Sequence, residues 1–235
     1  MKYLYHLPVS GFNDTLITLN ESLTYCKKYN RTLLFDTLNS LYKINFAEYF
    51  DLSKLIEINN IEIICDSGKI RELDIQDSAT FYPTYYTKEM YTNILNNKID
   101  IKYKFGTGFC DSLNNRSCIP NTDVTDDIII YIQCGVGISS FPIFKNILLK
   151  QELIDSCKKR YIEILDRCKW ANKKSYISVQ VRNTDYHSDY KLLFKKNKKI
   201  FENNIIYLAT DSVEVIEFFK KKWYRYNEFL YISKK

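Results

Sequence analysis

Lys2-Tyr3-Leu4-Tyr5-His6-Leu7-Pro8-Val9-Ser10-Gly11-Phe12-Asn13-Asp14 opens the chain, and its pattern predicts a strand, then a loop, then a helix. Residues 2–7 alternate and are rich in Tyr and Leu, as a strand requires. Pro8, Gly11 and the Asn13-Asp14 pair are turn and helix-capping types. Leu16, Leu19, Leu23 and Cys26 then recur at helical spacing, with Lys27-Lys28 where the helix dipole favours cations. Leu33-Leu34-Phe35, within residues 31–36, predicts a second strand. A strand–helix–strand unit of this size implies parallel strands joined by a right-handed crossover.

The pattern continues outward. Residues 61–65 and 127–134 predict further strands, the latter a near-continuous apolar run suited to burial on both faces. Residues 66–126 show no clear periodicity. From Ile143 to about Cys168 the apolar positions predict one long helix crossing between two halves of the molecule. A strand follows over residues 175–181, with Ile177, Val179 and Val181 on one face. A basic helical segment over 190–201, a strand over 205–209 and an amphipathic helix opened by Thr210-Asp211-Ser212 complete the chain. The expected fold class is α/β with mainly parallel sheets, in two Rossmann-like halves, 1–145 and 146–235, the second short.

Composition narrows the classes. The 235 residues are 46% hydrophobic and 26% charged, with four Pro, six Gly, 20 Tyr and 14 Phe, which excludes disordered and fibrous chains. No apolar run approaches the roughly 20 residues of a membrane-spanning helix, and residues 1–8 lack the apolar core of a signal peptide. The expectation is a cytoplasmic protein. Seven cysteines include no C-x-x-C pair, so they read as reduced, small hydrophobes rather than a zinc set. Residues 151–235 carry 19 Lys and Arg against 11 Asp and Glu, whereas residues 1–150 carry 15 against 17. A basic second half suits an anionic ligand or a solvated lysine face. No nucleic-acid-binding motif accompanies it, so no nucleic-acid partner is expected.

In open α/β sheets ligands bind outside the carboxyl ends of the strands, and three loops occupy such positions. In Ser10-Gly11-Phe12-Asn13-Asp14, glycine permits close backbone approach and the helix N-terminus offers N–H groups; Asn13 or Asp14 serves either as the N-cap or as a ligand contact. In Arg182-Asn183-Thr184-Asp185-Tyr186, the planar guanidinium of Arg182 suits a diphosphate, while Asp185 orients Arg182 or caps the following turn. His187 reads as a loop residue. In Thr210-Asp211-Ser212, Asp211 stands three residues before Glu214, which fits a capping-box variant as well as ligand contact. A P-loop, a D-x-D metal-diphosphate anchor and a G-x-S-x-G elbow are all missing. Gly135-Val136-Gly137-Ile138-Ser139-Ser140 mimics a dinucleotide fingerprint, but lacks its third glycine and the acidic residue ending a second strand.

Together these loops resemble one family. Val179-Gln180-Val181-Arg182-Asn183-Thr184-Asp185-Tyr186 looks like the H-x-R-x-x-D signature of GDP-fucose-dependent fucosyltransferases, the protein O-fucosyltransferase and α1,2/α1,6 groups. Ser10-Gly11-Phe12-Asn13 resembles their G-G-x-N loop, Asn30-Arg31-Thr32-Leu33 their "NRTL" strand entry, and Ile206-Tyr207-Leu208-Ala209-Thr210-Asp211 their "YLATD" strand end. The resemblance implies a GT-B fold and a metal-independent transferase without cofactor, moving fucose from GDP-fucose to a glycan or protein acceptor. By that analogy Arg182 and Asn13 are the catalytic candidates, Arg182 on the diphosphate and Asn13 facing donor or acceptor. Gly11, Phe12, Asn13, Arg182, Asp185, Asp211 and Ser212 form the substrate- and nucleotide-binding set. Gln180 stands where many members have His. Members also continue through another strand and a Ser-rich loop, while this sequence ends at Lys235, so the alternative expectation is an inactive nucleotide- or glycan-binding remnant of the fold.

Overall fold

The computed structural model describes residues 2–9, 11–40, 43–98, 102–104, 108–110, 119–133, 139–167, 176–183 and 187–223. In chain order its strands are β1 (Tyr3–Pro8), β2 (Thr32–Phe35), β3 (Phe50–Asp51), β4 (Ile63–Ile64), β5 (Phe81–Tyr82), β6 (Lys102–Lys104), β7 (Gly108–Cys110), β8 (Ile128–Gln133), β9 (Leu148–Leu149), β10 (Tyr176–Val181) and β11 (Ile205–Thr210). The chain divides into two compact units, Met1–Leu153 and Ile154–Lys235. The division falls inside the helix Gln151–Arg167.

The first unit is built on a five-stranded sheet in the order β4-β2-β1-β8-β5, with every pairing parallel. β1 lies at its centre, with Tyr5 opposite Leu34 on one side and Ile130 on the other. Alternation sorts the strand residues into two cores, one on each face of the sheet. Leu4, Leu33, Phe35, Ile129 and Tyr131 pack with Leu16, Leu19, Leu23 and Cys26 of the helix Phe12–Tyr29. Tyr5, Leu7, Leu34, Ile128, Ile130 and Ile132 pack with Tyr91, Ile94 and Leu95 of the helix Lys88–Leu95. The segment 66–126, aperiodic in sequence, thus supplies a sheet strand, β5, and much of one face. Its signal is weak because β5 is only two residues long.

The long helix expected from Ile143 begins only at Gln151. Pro142 sits in the first turn of a short helix, Phe141–Phe144, and Leu148-Leu149 leave helical geometry to pair antiparallel with Phe50-Asp51. The helical segment over 190–201 is likewise two pieces, Tyr190–Lys196 and Lys198–Glu202, broken at Asn197. In the second unit β10 and β11 run parallel, Val181 opposite Thr210, and Val179, Val181, Ile206, Leu208, Phe194, Phe201, Val215 and Phe219 form its core.

Arg31 is the largest fully buried side chain of the first unit. Its guanidinium donates to the carbonyls of Asp126 (2.9 Å), Tyr3 (3.4 Å) and Val124, and reaches the Asp123 carboxylate at 3.2 Å. It ties the entries of β1 and β8 to that of β2. Arg31→Met should strip those carbonyls of their donor and lower the unfolding free energy by about 2–4 kcal/mol, read as a lower urea midpoint at unchanged slope. Arg31→Lys should recover less than half of the loss, since one ammonium cannot span the acceptors that a planar fork reaches.

Candidate functional site

In the first unit the strand order reverses between β1 and β8, so their carboxyl ends open the crevice where such sheets take ligands. The loop after β1 reaches it directly. Gly11 is the N-cap of the helix Phe12–Tyr29, with φ −60° and ψ 163°, and its carbonyl accepts from the Thr15 N–H at 2.9 Å. Asn13 and Asp14, expected as cap residues, lie instead in the first turn, and no side chain caps that turn. Asn13 is committed elsewhere: its Oδ1 accepts from the Ser140 hydroxyl at 2.7 Å. That bond joins the loops leaving β1 and β8. Phe12, partly exposed, stacks on Phe50 with ring centroids 5.8 Å apart. Ser10 and residues 134–138, which include the glycines of the fingerprint-like segment, lie outside the described residues.

The second unit brings the other two loops together at the carboxyl ends of β10 and β11. The Asn183 backbone N–H donates to Asp211 Oδ1 at 2.9 Å, and the Ser188 hydroxyl donates to the Arg182 carbonyl at 2.7 Å. Arg182 is exposed, at the end of a strand whose Val179 and Val181 are buried. The capping-box reading of Asp211 is corrected. The helix Val213–Trp223 starts after Ser212, whose carbonyl accepts from the Ile216 N–H at 3.3 Å, while Asp211 reaches sideways to the neighbouring loop. Glu214 accepts from the Tyr190 hydroxyl at 2.8 Å and stands 3.9 Å from the Lys191 ammonium. Asp185, with Thr184 and Tyr186, lies outside the described residues, and His187 is exposed.

Two polar clusters escaped the sequence reading. At the carboxyl end of β2, buried Asp36 accepts from Tyr5 (2.9 Å), the Asn39 amide (2.7 Å) and Ser67 (3.0 Å). Burial and the adjacent carboxylate hold the Tyr5 hydroxyl far above its ordinary value. A carboxylate with three internal donors is a structural knot rather than a ligand contact. Beneath the helix Phe12–Tyr29, Ser22 Oγ and His6 Nδ1 lie 2.9 Å apart. The pair has nucleophile–base spacing, yet both residues are fully buried, so no substrate reaches them. Only the burial of these side chains distinguishes them from site residues, and burial is not written in local sequence.

A cleft of about 840 Å³ is lined by Lys2, Tyr29, Asn30, Thr32, Glu57 and Glu62, among others. It lies at the amino ends of β1, β2 and β4, opposite the carboxyl edge of that sheet, where the loop after β1 leaves. Among the described residues no three His, Cys, Asp or Glu side chains cluster as metal ligands, and no helix is long and apolar enough to cross a membrane. Compared with protein-family models, curated proteins and solved structures, the chain matches none of them.

His6 makes a pH signature. Burial pushes it down from 6.5 to about 3. As pH falls below 6.5 the unfolded chain therefore takes up a proton that the folded chain refuses, so stability present above pH 6.5 is lost towards pH 3. Between pH 7 and pH 5 the wild type should lose about 2 kcal/mol of unfolding free energy beyond what His6→Leu loses, measured by urea unfolding at both pH values.

Proposed function

We propose that the protein is a metal-independent glycosyltransferase of the GDP-fucose-dependent kind, with the donor nucleotide on its second unit. The observation that carries this reading is the meeting of two motif-bearing loops at one sheet edge. Arg182-Asn183 and Thr210-Asp211 are 27 residues or more apart in sequence, and the Asp211–Asn183 hydrogen bond joins them at the carboxyl ends of adjacent parallel strands. This is where an α/β sheet presents a nucleotide, and it is where the resemblance to fucosyltransferases puts the diphosphate.

The chemistry follows from charge. A departing GDP accumulates negative charge on its phosphate oxygens, and a guanidinium aimed there stabilises charge as it develops. Two parallel N–H donors meet two phosphate oxygens, which a lysine ammonium cannot match. Asp211 acts on this reading by fixing the loop that carries Arg182, with Ser212 beside it at the helix start. Asp185 and the nucleoside complete the donor side. In the first unit, Gly11, Phe12 and Asn13 provide the acceptor side, where an exposed ring and an amide suit a glycan. The GT-B pairing of two halves and a glycan or protein acceptor belong to the same proposal.

The test is Arg182→Lys. With folding confirmed by circular dichroism, GDP binding by calorimetry should weaken by about 2 kcal/mol, the scale of a charge-assisted hydrogen bond. Fucose transfer should fall further, because the leaving diphosphate is most charged in the transition state. Wild-type binding should persist in EDTA and favour GDP over GMP. Equal GDP affinity in the folded variant removes Arg182 from the site and the reading with it; GDP binding without turnover reduces the protein to a nucleotide-binding module.

A further inference from the structure

We infer that the second unit docks on an anionic phospholipid bilayer through the outer face of its two short helices, Tyr190–Lys196 and Lys198–Glu202. The inference goes beyond the proposed function and does not depend on it. Three rings fix the inward face. Tyr190, Phe194 and Phe201 are buried, and the ring centroids of the last two lie 4.3 and 6.2 Å from that of Phe219. Both helices therefore pack on one neighbour, the helix Val213–Trp223. At about 100° per residue, the positions opposite these rings are Leu192 and Lys196 in the first helix and Lys199 in the second. Leu193 and Ile200 fall on the same flank of their respective rings. Asn197 joins the two pieces: its N–H donates to the Leu193 carbonyl at 3.1 Å, and its own carbonyl accepts from the N–H groups of Ile200 at 3.0 Å and Phe201 at 3.1 Å.

The chemistry of this face selects its partner. Lys191, Lys195, Lys196, Lys198 and Lys199 are all exposed, five cations within nine residues. The carboxylates of Glu214 and Glu202 stand 3.9 and 3.5 Å from Lys191 and Lys198, and no ion pair among the described residues engages the other three. Lysines alone would make a solvated face. Among them, however, stand Leu192, Leu193 and Ile200, 43%, 40% and 47% exposed. Aliphatic side chains set between lysines on an exposed helix suit a bilayer interface, where ammonium groups stay with the phosphates and apolar side chains enter the acyl boundary. Roughly four to eight basic residues on such a helix suffice for anionic lipid, each lysine near the surface strengthening binding about fivefold. A single-stranded nucleic acid would need rings on which its bases stack, and the three rings of this segment are turned into the core.

Flotation of the full chain with phosphatidylcholine vesicles, with and without one-third phosphatidylserine, tests this. The wild type should bind the anionic vesicles and leave the neutral ones. Raising salt from about 0.15 M to about 1 M, which shortens the screening length to ~3 Å, should release most of it. Lys196→Glu/Lys199→Glu should weaken partitioning at least ~25-fold, the product of two lysine contributions. Leu192→Ser/Ile200→Ser, which keeps the net charge, should weaken it at least ~10-fold through lost insertion. All four positions are exposed, so both variants should fold, which circular dichroism checks. Equal binding to neutral vesicles overturns the inference, as does no binding to anionic ones, or either variant partitioning like the wild type. A labelled single-stranded oligonucleotide bound by the wild type and the leucine–isoleucine variant, released by the lysine variant and accompanied by no flotation, overturns it in favour of a nucleic acid.

Discussion

A strand buried on both faces satisfies its backbone only along its two edges, and β1 is such a strand. Leu4, Tyr5, His6 and Leu7 are all fully buried. Each of its edges is therefore committed to a parallel neighbour, β2 on one side and β8 on the other. Parallel neighbours demand crossovers, and the crossovers become the helices that cover the two cores. Because the chain leaves β1 towards β2 and returns through β8 on the opposite side, the exits of β1 and β8 diverge. The Asn13–Ser140 bond spans that divergence.

Polar groups inside this frame follow the same logic. Arg31 occupies the amino edge and gathers carbonyls from two strand entries; Asp36 occupies the carboxyl end of β2 and gathers hydroxyl and amide donors. Each is costly to bury and each is surrounded by partners of the opposite kind, so both lock the loops they touch. Arg31 also lies within the "NRTL" stretch that resembles a fucosyltransferase strand entry. Its place at the amino edge gives that stretch a packing explanation independent of any ligand.

The strands of the central frame were legible because their apolar runs are long enough to show a period. β1, β2, β8, β10 and β11 fall within a residue or two of the expected spans, as does the helix Phe12–Tyr29. β4 spans only Ile63–Ile64 of the expected 61–65, and β5 was not legible at all. A two-residue strand carries no period, and its assignment is made by the neighbour it pairs with. The helix expected from Ile143 failed for a related reason. Ile143, Ile147 and Leu148 keep helical spacing, but the antiparallel partner of Leu148 and Leu149 is Phe50-Asp51, almost a hundred residues away. Caps were misread where a side chain found a better partner across the sheet: Asn13 with Ser140, and Asp211 with Asn183.

Those two displaced caps are also the most informative residues at the carboxyl edges. A capping side chain bonds its own helix and carries information about nothing else. Asn13 and Asp211 each bond the loop that leaves the neighbouring strand, so each fixes the distance between two exits. In the second unit the two exits are those of β10 and β11. The Asp211 carboxylate takes the Asn183 N–H, which sets the backbone one residue beyond Arg182, while Ser188 holds the Arg182 carbonyl. The two bonds hold a single peptide group, that between Arg182 and Asn183, at its carbonyl and its N–H, so the chain leaves β10 in a fixed direction.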